Sequence, residues 1–517
     1  MDLAIKIVLL AVFFGVMTGI GLYCRRHATD VSGFVLGGRS VGPWLTAFAY
    51  GTSYFSAVVF VGYAGQFGWK YGVAATWAGL GNAFLGSLLA WAVLGRRTRV
   101  MTQHLDSATM PEFFGRRFDS QALKLCASVI IFIFLIPYTA SLYNGLSRLF
   151  GMAFAIDYSV CVIVMAILTG VYVIAGGYMA TAINDFIQGI IMLAGIAAVI
   201  GAVLHTQGGF LAALEKLARV QGDSGVPGVY ASFFGPDPVN LLGVVLLTSL
   251  GTWGLPQMVQ KFYAIKSEAA ISKGTVISTV FALVVAGGCY FLGGFGRLYA
   301  DRIDIQANGY DSIIPVMLSG LPAILIAVVV ILVLSASMST LSSLVLASSS
   351  TLTLDFIKGN IIKDMDEKRQ VRWMRGLVVV FIAISVVLAL IQYKSSVTFI
   401  AQLMGVSWGA LAGAFLAPFL YGLYWKRTTK AACWVSFVFS AVFMLAVISP
   451  LKTALPPLLQ SPINAGAFCM IAGLVIVPAV SLFTRAPGEK RLEEIFSCYE
   501  RRVTVTVKDS IGEQNSH

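Results

Sequence analysis

The sequence predicts an all-α protein that crosses a membrane many times. Three observations predict it. The 517 residues are 58% hydrophobic and 12% charged, where a soluble domain is about 45–50% apolar and about 25% charged. Apolar runs of membrane length recur from one end to the other. The scarce positive charges gather on alternate loops. So little charge leaves too little polar surface for a soluble globule of this size, and mean hydropathy is +0.83. Secreted disulfide scaffolds, disordered tails, collagen and coiled coils are excluded. A membrane β-barrel needs alternating runs of ~10 residues, and the apolar runs here are far longer.

A spanning helix needs ~20 mostly apolar residues. Thirteen such segments are predicted, at 4–23, 44–65, 74–94, 125–148, 158–175, 180–204, 240–260, 275–298, 321–355, 374–392, 397–423, 431–449 and 464–484. They are named here first to thirteenth. The fifth and sixth are divided only by Gly176-Gly177. With the N-terminus outside, the inner loops and tail hold 27 of the 36 Lys and Arg. The outer side holds eight: Lys70, Arg148, Lys216, Arg219, Arg297, Arg302, Lys394 and Lys452. Lys6 lies in the first span. Excess positive charge marks the cytoplasmic side, so the reading is N-terminus out, C-terminus in. The net charge of +12 is then an orientation signal, and a nucleic-acid partner is excluded. Arg25 and Arg26 follow the first apolar run, unlike the charges of a secretory signal peptide, which precede it. The seven cysteines are odd in number and mostly sit in or beside spans, as packing residues do. Residues 1–484 form the membrane domain and 485–517 an inner tail. The basic stretch Lys490 to Arg502 reads as a solvated terminus, with an anionic lipid surface as the alternative.

An enzyme of this architecture needs chemistry inside the membrane. The four histidines, His27, His104, His205 and His517, fall in loops or the tail, so they cannot pair as haem ligands between helices. No HExxH metal motif occurs. The prediction is a transporter, not an enzyme, with no cofactor beyond a coupling ion. A transporter-like sensor is the reading from another class, but the roughly 33-residue tail is short for a signalling domain.

Transporters carry inverted repeats with a broken helix at matching places. The second span reads Gly51-Thr52-Ser53-Tyr54-Phe55-Ser56. The seventh reads Gly251-Thr252-Trp253-Gly254-Leu255-Pro256. Pro256 lacks an amide hydrogen and disrupts the helical ladder. Carbonyls freed in such breaks can ligate a cation in a protected cavity. In the ninth span, 11 of the 19 residues Ser335 to Thr353 are Ser or Thr. Helical spacing places Ala336, Ser339, Thr340 and Ser343 on one face. Hydroxyl oxygens are hard ligands suited to an alkali cation, though hydroxyls also pack helices. Asp185, early in the sixth span, is costly there: an acid at a helix centre costs roughly 2.5–3.5 kcal/mol on insertion scales. An acid so placed is a candidate site for a cation or for a relayed proton, with an acid at a wet helix end as the alternative.

These motifs resemble the sodium:solute symporter family, which includes proline, pantothenate, sialic acid and sugar symporters. Leu36-Gly37-Gly38-Arg39-Ser40 with Gly42-Pro43 is similar to the family's entry into its first core helix. Gly176-Gly177 through Asn184-Asp185 and Gln188 resembles its sixth-span signature. Ser335-Ala336-Ser337-Met338-Ser339-Thr340-Leu341-Ser342-Ser343 resembles its sodium helix. The resemblance implies a LeuT-type fold, a five-plus-five inverted repeat over about 44–204 and 240–423, with two further spans in 431–484. It implies sodium-coupled uptake of a small organic solute by alternating access in the cell membrane, where a monomer suffices. The family's shared sodium site, carried over by position, is Thr52, Phe55, Ala336, Ser339 and Thr340. A second sodium site is Asp185, Ser339, Ser342 and Ser343, which implies two sodium ions per solute. A proton-coupled transporter of the same fold is the alternative.

The resemblance leaves the solute open among amino acids, sugars, small carboxylates and vitamins. Where the family's proline symporters have an acid in the second span, this chain has Tyr54. Where they have aromatics in the seventh, it has Thr248 and Thr252. Its fourth span has no Arg to clamp a carboxylate, as the sialic acid symporters have. Ala74 and Ala78 replace their polar gating residues. The changes at Tyr54, Thr248 and Thr252 argue against a simple proline transporter, and a small polar or weakly charged solute held by backbone and hydroxyls fits better. The candidate contacts are Ser53, Ser56, Tyr138, Asn144, Thr252 and Trp253, the last as an aromatic lid.

Overall fold

The computed structural model describes residues 2–154, 157–222, 225–358, 360–362, 364–395 and 400–500. The chain is helical throughout, with three isolated β-bridges among the described residues. Ten helical runs are long and apolar enough to cross a membrane, or eleven if the bent pair Pro238–Gly254 and Pro256–Ala264 is one crossing. Two of the ten, Val58–His104 and Tyr158–Thr206, are 47 and 49 residues long. At 1.5 Å per residue each is roughly 70 Å, more than twice the ~30 Å hydrocarbon core. Each contains a glycine that no helix accommodates. Gly72 has φ +63° and ψ −144°, and Gly177 has φ +54° and ψ −148°. A Cβ on Gly177 would lie 2.8 Å from the Phe34 carbonyl, so position 177 admits only glycine. The predicted division of the fifth and sixth spans falls at this residue.

Both breaks flagged in the sequence are present, and they match. Pro43 opens the helix Pro43–Tyr54 at its first turn, where a missing N–H costs nothing. Phe55 ends it in an extended conformation (φ −82°, ψ 119°), its N–H donating to Gly51 O at 3.3 Å. A π-helical turn, Val58–Tyr63, then restarts the chain. In the seventh span, Leu255 ends Pro238–Gly254 with φ −78° and ψ 125°, and its N–H donates to Gly251 O at 3.2 Å. The ring of Pro256 forces the residue before it out of the helical region, and the axis bends by 45°. The second span reaches the same geometry without a proline.

The two broken helices are joined at one end. Val41 N–H donates to Ala264 O (3.2 Å), and Lys266 N–H to Val41 O (2.9 Å). Arg39 donates to the carbonyls of Tyr263 (3.1 Å) and Ser107 (2.7 Å). The ninth-span helix, Ala323–Thr351, packs against the sixth and fourth spans and the second-span break. The seventh span packs against the third and eleventh.

Glycines set the closest approaches, as expected where lipid gives no hydrophobic drive to helix association. A Cβ on Gly68 would lie 1.9 Å from Gly293 O, and one on Gly293 would lie 2.0 Å from Ala64 O. The second and eighth spans therefore touch backbone to backbone.

The tail differs from a solvated terminus over its described part. The helix Glu489–Phe496 buries Leu492, Ile495 and Phe496. Arg491 donates to Arg116 O (2.9 Å), Tyr499 donates to Arg97 O (3.2 Å), and the Arg117 guanidinium lies over the Phe496 ring. Docking against the loop after the third span hides its apolar face. Residues 501–517, including Arg501, Arg502 and Lys508 of the charge count, lie outside the described residues.

Candidate functional site

The second-span break and the ninth span build one oxygen cluster. Thr340 Oγ1 lies 3.0 Å from Thr52 O, 3.2 Å from Phe55 O and 3.1 Å from Ala336 O. Ser339 Oγ lies 3.1 Å from Thr52 O and 3.0 Å from Ala336 O. All five residues are fully buried. Among the described residues no backbone N–H reaches Thr52 O or Phe55 O, because the helix stops there.

Proton counting shows what this cluster lacks. Two hydroxyls supply two protons, yet they make five close contacts to three carbonyls. At most two of the contacts can carry a full proton each, and the rest share one. A positive ion at the centre relieves this in a way that no further hydrogen bond inside the cluster can. An ion with oxygen contacts near ~2.4 Å sets its ligands about 3.4 Å apart, so a few tenths of an ångström of expansion admit it. Three neutral carbonyls and two hydroxyls suit a hard monovalent ion, and the set has no carboxylate of the kind that divalent ions usually use.

Asp185 is fully buried, and neither of its carboxylate oxygens has a hydrogen bond among the described residues. Its neighbour is a lysine one residue beyond the predicted seventh span. Lys261 Nζ lies 3.9 Å from Asp185 Oδ2, donates to Ser343 Oγ at 3.0 Å and sits 5.1 Å from the centre of the Tyr178 ring. Ser343 Oγ in turn lies 2.9 Å from Ser53 Oγ. Ser342 donates to Ser339 O (2.9 Å), and Ser339 belongs to the first cluster. The residues of the second predicted cation site are thus neighbours, with the Lys261 ammonium between Asp185 and Ser343.

The solute candidates divide. Ser53 reaches the ninth span through Ser343 and also donates to Ala49 O. Ser56 Oγ accepts the Val58 N–H (3.2 Å) and caps the restarted helix. Tyr138 is buried against Trp408 of the eleventh span, ring centroids 6.0 Å apart. Its hydroxyl has no hydrogen bond among the described residues, and neither has Trp408 Nε1. Gly251 faces the same indole, which a Cβ there would meet at 2.4 Å. Three other candidates point elsewhere. Thr252 donates to Gly86 O (2.8 Å) and Trp253 to Leu85 O (2.9 Å), both on the third span. Trp253 is therefore packed outward, away from the place of a lid. Asn144 accepts from Tyr158 at the start of the fifth span. Trp408 was missed because its span carries no break or acid to draw attention.

Residues 34–438 match the sodium:solute symporter family. The chain belongs to the sodium:solute symporter family. The sodium/proline symporter of Staphylococcus aureus strain JH9 is 30% identical over 496 residues, which cover 93% of each chain, and that of strain NCTC 8325 / PS 47 matches equally. Among solved structures, the substrate-bound outward-open state of a Na+-coupled sialic acid symporter superposes with a TM-score of 0.75 at 16% identity. It covers 93% of this chain and 98% of the other. The fold is LeuT-type, as the family resemblance implied. The symporter is a multi-pass plasma-membrane protein that couples sodium to the movement of a small solute.

Proposed function

We propose that the Thr52, Phe55, Ala336, Ser339 and Thr340 cluster is the sodium site that drives transport. The observation that supports this most is the Thr340 hydroxyl facing three carbonyls with one proton to give. The cluster ties the broken second span to the ninth, so a bound ion would hold the two together. Releasing it would free them to part, the movement alternating access needs. One charge moved across 100 mV supplies about 2.3 kcal/mol, or roughly 50-fold accumulation of a neutral solute. The sodium of a second site at Asp185, Ser339, Ser342 and Ser343 would meet the ammonium of Lys261. Dividing the two overlong helices at Gly72 and Gly177, joining the two pieces of the second span and treating the bent pair as one would give the thirteen crossings of the sequence reading, an odd number that puts the termini on opposite sides; the excess of Lys and Arg on alternate loops supports N-terminus out and C-terminus in.

The solute site proposed lies between the breaks, beside Ser56, Tyr138, Gly251 and Trp408. These offer hydroxyl, indole N–H and backbone, and no formal charge. The buried charges nearby, Asp185 and Lys261, face each other. A small net-neutral solute of amino- or imino-acid size fits this lining, and the likeness to sodium/proline symporters supports it. A cavity of about 880 Å³, lined by Gln66, Lys70, Asp237, Asn240, Gln402 and Asn464, reaches Pro137 next to Tyr138. It is the proposed route in from outside.

Sodium and solute that bind one state stabilise each other reciprocally. In a thermal-shift panel of neutral amino acids, proline, sugars, carboxylates and vitamins, the carried solute raises Tm more in sodium than in choline. A panel in which only charged solutes raise Tm, or in which sodium changes nothing, contradicts the proposal.

A further inference from the structure

We propose that Lys261 is a built-in cation that holds the second ion position, so the protein binds one sodium rather than two. The inference rests on the sodium reading of the first site.

The geometry carries it. The ammonium makes a hydrogen bond to Ser343 and lies 3.9 Å from Asp185, within a fully buried setting. A sodium ion using Asp185 and Ser343 as ligands would stand in the same small space. A sodium ion added beside the ammonium would meet its repulsion across this single carboxylate in a poorly solvated interior, so the two cations compete for Asp185. Lysine has three donors and no acceptor, so it can replace a cation toward carboxylate and hydroxyl oxygens but cannot itself ligate one. Its stem rises from Pro256–Ala264, the second half of the broken seventh span. The tether keeps the amine in place where a sodium ion would come and go. Asp185 is then neutralised by the seventh span in every cycle, and the Ser53–Ser343 contact connects the ammonium to the helix that carries the sodium site. Coupling stoichiometry is thus set by one side chain. Removing the ammonium while keeping Asp185 should open a second sodium position.

Sodium alone is the probe, so no solute need be known. Radioactive sodium binding to the purified full chain gives the stoichiometry directly. The expected results are one saturable sodium for the wild type and two for Lys261→Gln, with the sodium Hill coefficient rising from about 1 toward 2. Removing both charges with Lys261→Gln/Asp185→Asn should return the count to one. Two sodium ions in the wild type overturn the proposal. So does a single sodium in a folded Lys261→Gln protein. If Lys261→Gln does not fold, Lys261→Met, which keeps the stem and removes the charge, takes its place: two sodium ions support the proposal and one overturns it. Absence of any saturable sodium in the wild type would instead overturn the first site, a different failure.

Discussion

Thr340→Val lowers the apparent sodium affinity by roughly 5- to 150-fold while the protein stays folded. Valine keeps the branched shape and removes one oxygen, which lies 3.0–3.2 Å from three carbonyls. Losing a polar partner in a buried site typically costs about 1–3 kcal/mol, and each 1.4 kcal/mol is about tenfold. The half-saturating sodium concentration for thermal stabilisation reads this directly. Thr340→Ser keeps the hydroxyl and should stay within a few-fold of the wild type. The packing role of the threonine methyl is the competing account. It predicts the reverse order, with serine worse than valine.

Gly68→Ala should abolish folded protein. The added carbon would lie 1.9 Å from Gly293 O and 2.7 Å from Gly294 N. Both are backbone atoms, so no side chain can swing aside. The second and eighth spans must separate, and Gly293, which needs the same closeness to Ala64, is displaced with them. Overpacking usually costs 1–3 kcal/mol. With rigid backbone on both sides the cost here should exceed about 3 kcal/mol. Gly376→Ala is the control, since nothing lies within 4 Å of its added carbon and alanine favours the helix by about 1 kcal/mol. Monodisperse yield on gel filtration distinguishes them. A Gly68→Ala protein as abundant and as stable as Gly376→Ala would show that the two helices are not in contact.

The breaks were legible because they are written in glycine and proline. Gly51-Thr52 and Gly251-Thr252 head the same turn, and Pro256 forces its neighbour extended. The oxygen cluster was legible through hydroxyl density on one helical face, and the resemblance supplied its carbonyl partners. Lys261 was not legible for a reason of boundaries. The seventh span was ended at residue 260, whereas the helix continues to Ala264, and a lysine one residue past an assumed membrane edge looks like an ordinary loop charge. The run Phe262-Tyr263-Ala264 beyond it was the missed signal. Asp355 and Lys124 show the same weakness. The acid ends the ninth span, fully buried, and is paired with Lys124 at 3.2 Å and with Thr109. Lys124 lies one residue before the predicted fourth span, where it reads as a loop charge. The directions of Thr252, Trp253 and Asn144 were beyond the sequence, because which neighbour a helix face meets depends on packing between distant spans.

Uptake of the carried solute into proteoliposomes tests the central claim most directly, with wild type and Thr340→Val side by side. The account predicts uptake that requires an inward sodium gradient, quickens with an inside-negative potential, and in Thr340→Val needs far more sodium for the same rate. Wild-type uptake that persists when choline or potassium replaces sodium, or that a pH gradient drives without sodium, would contradict it.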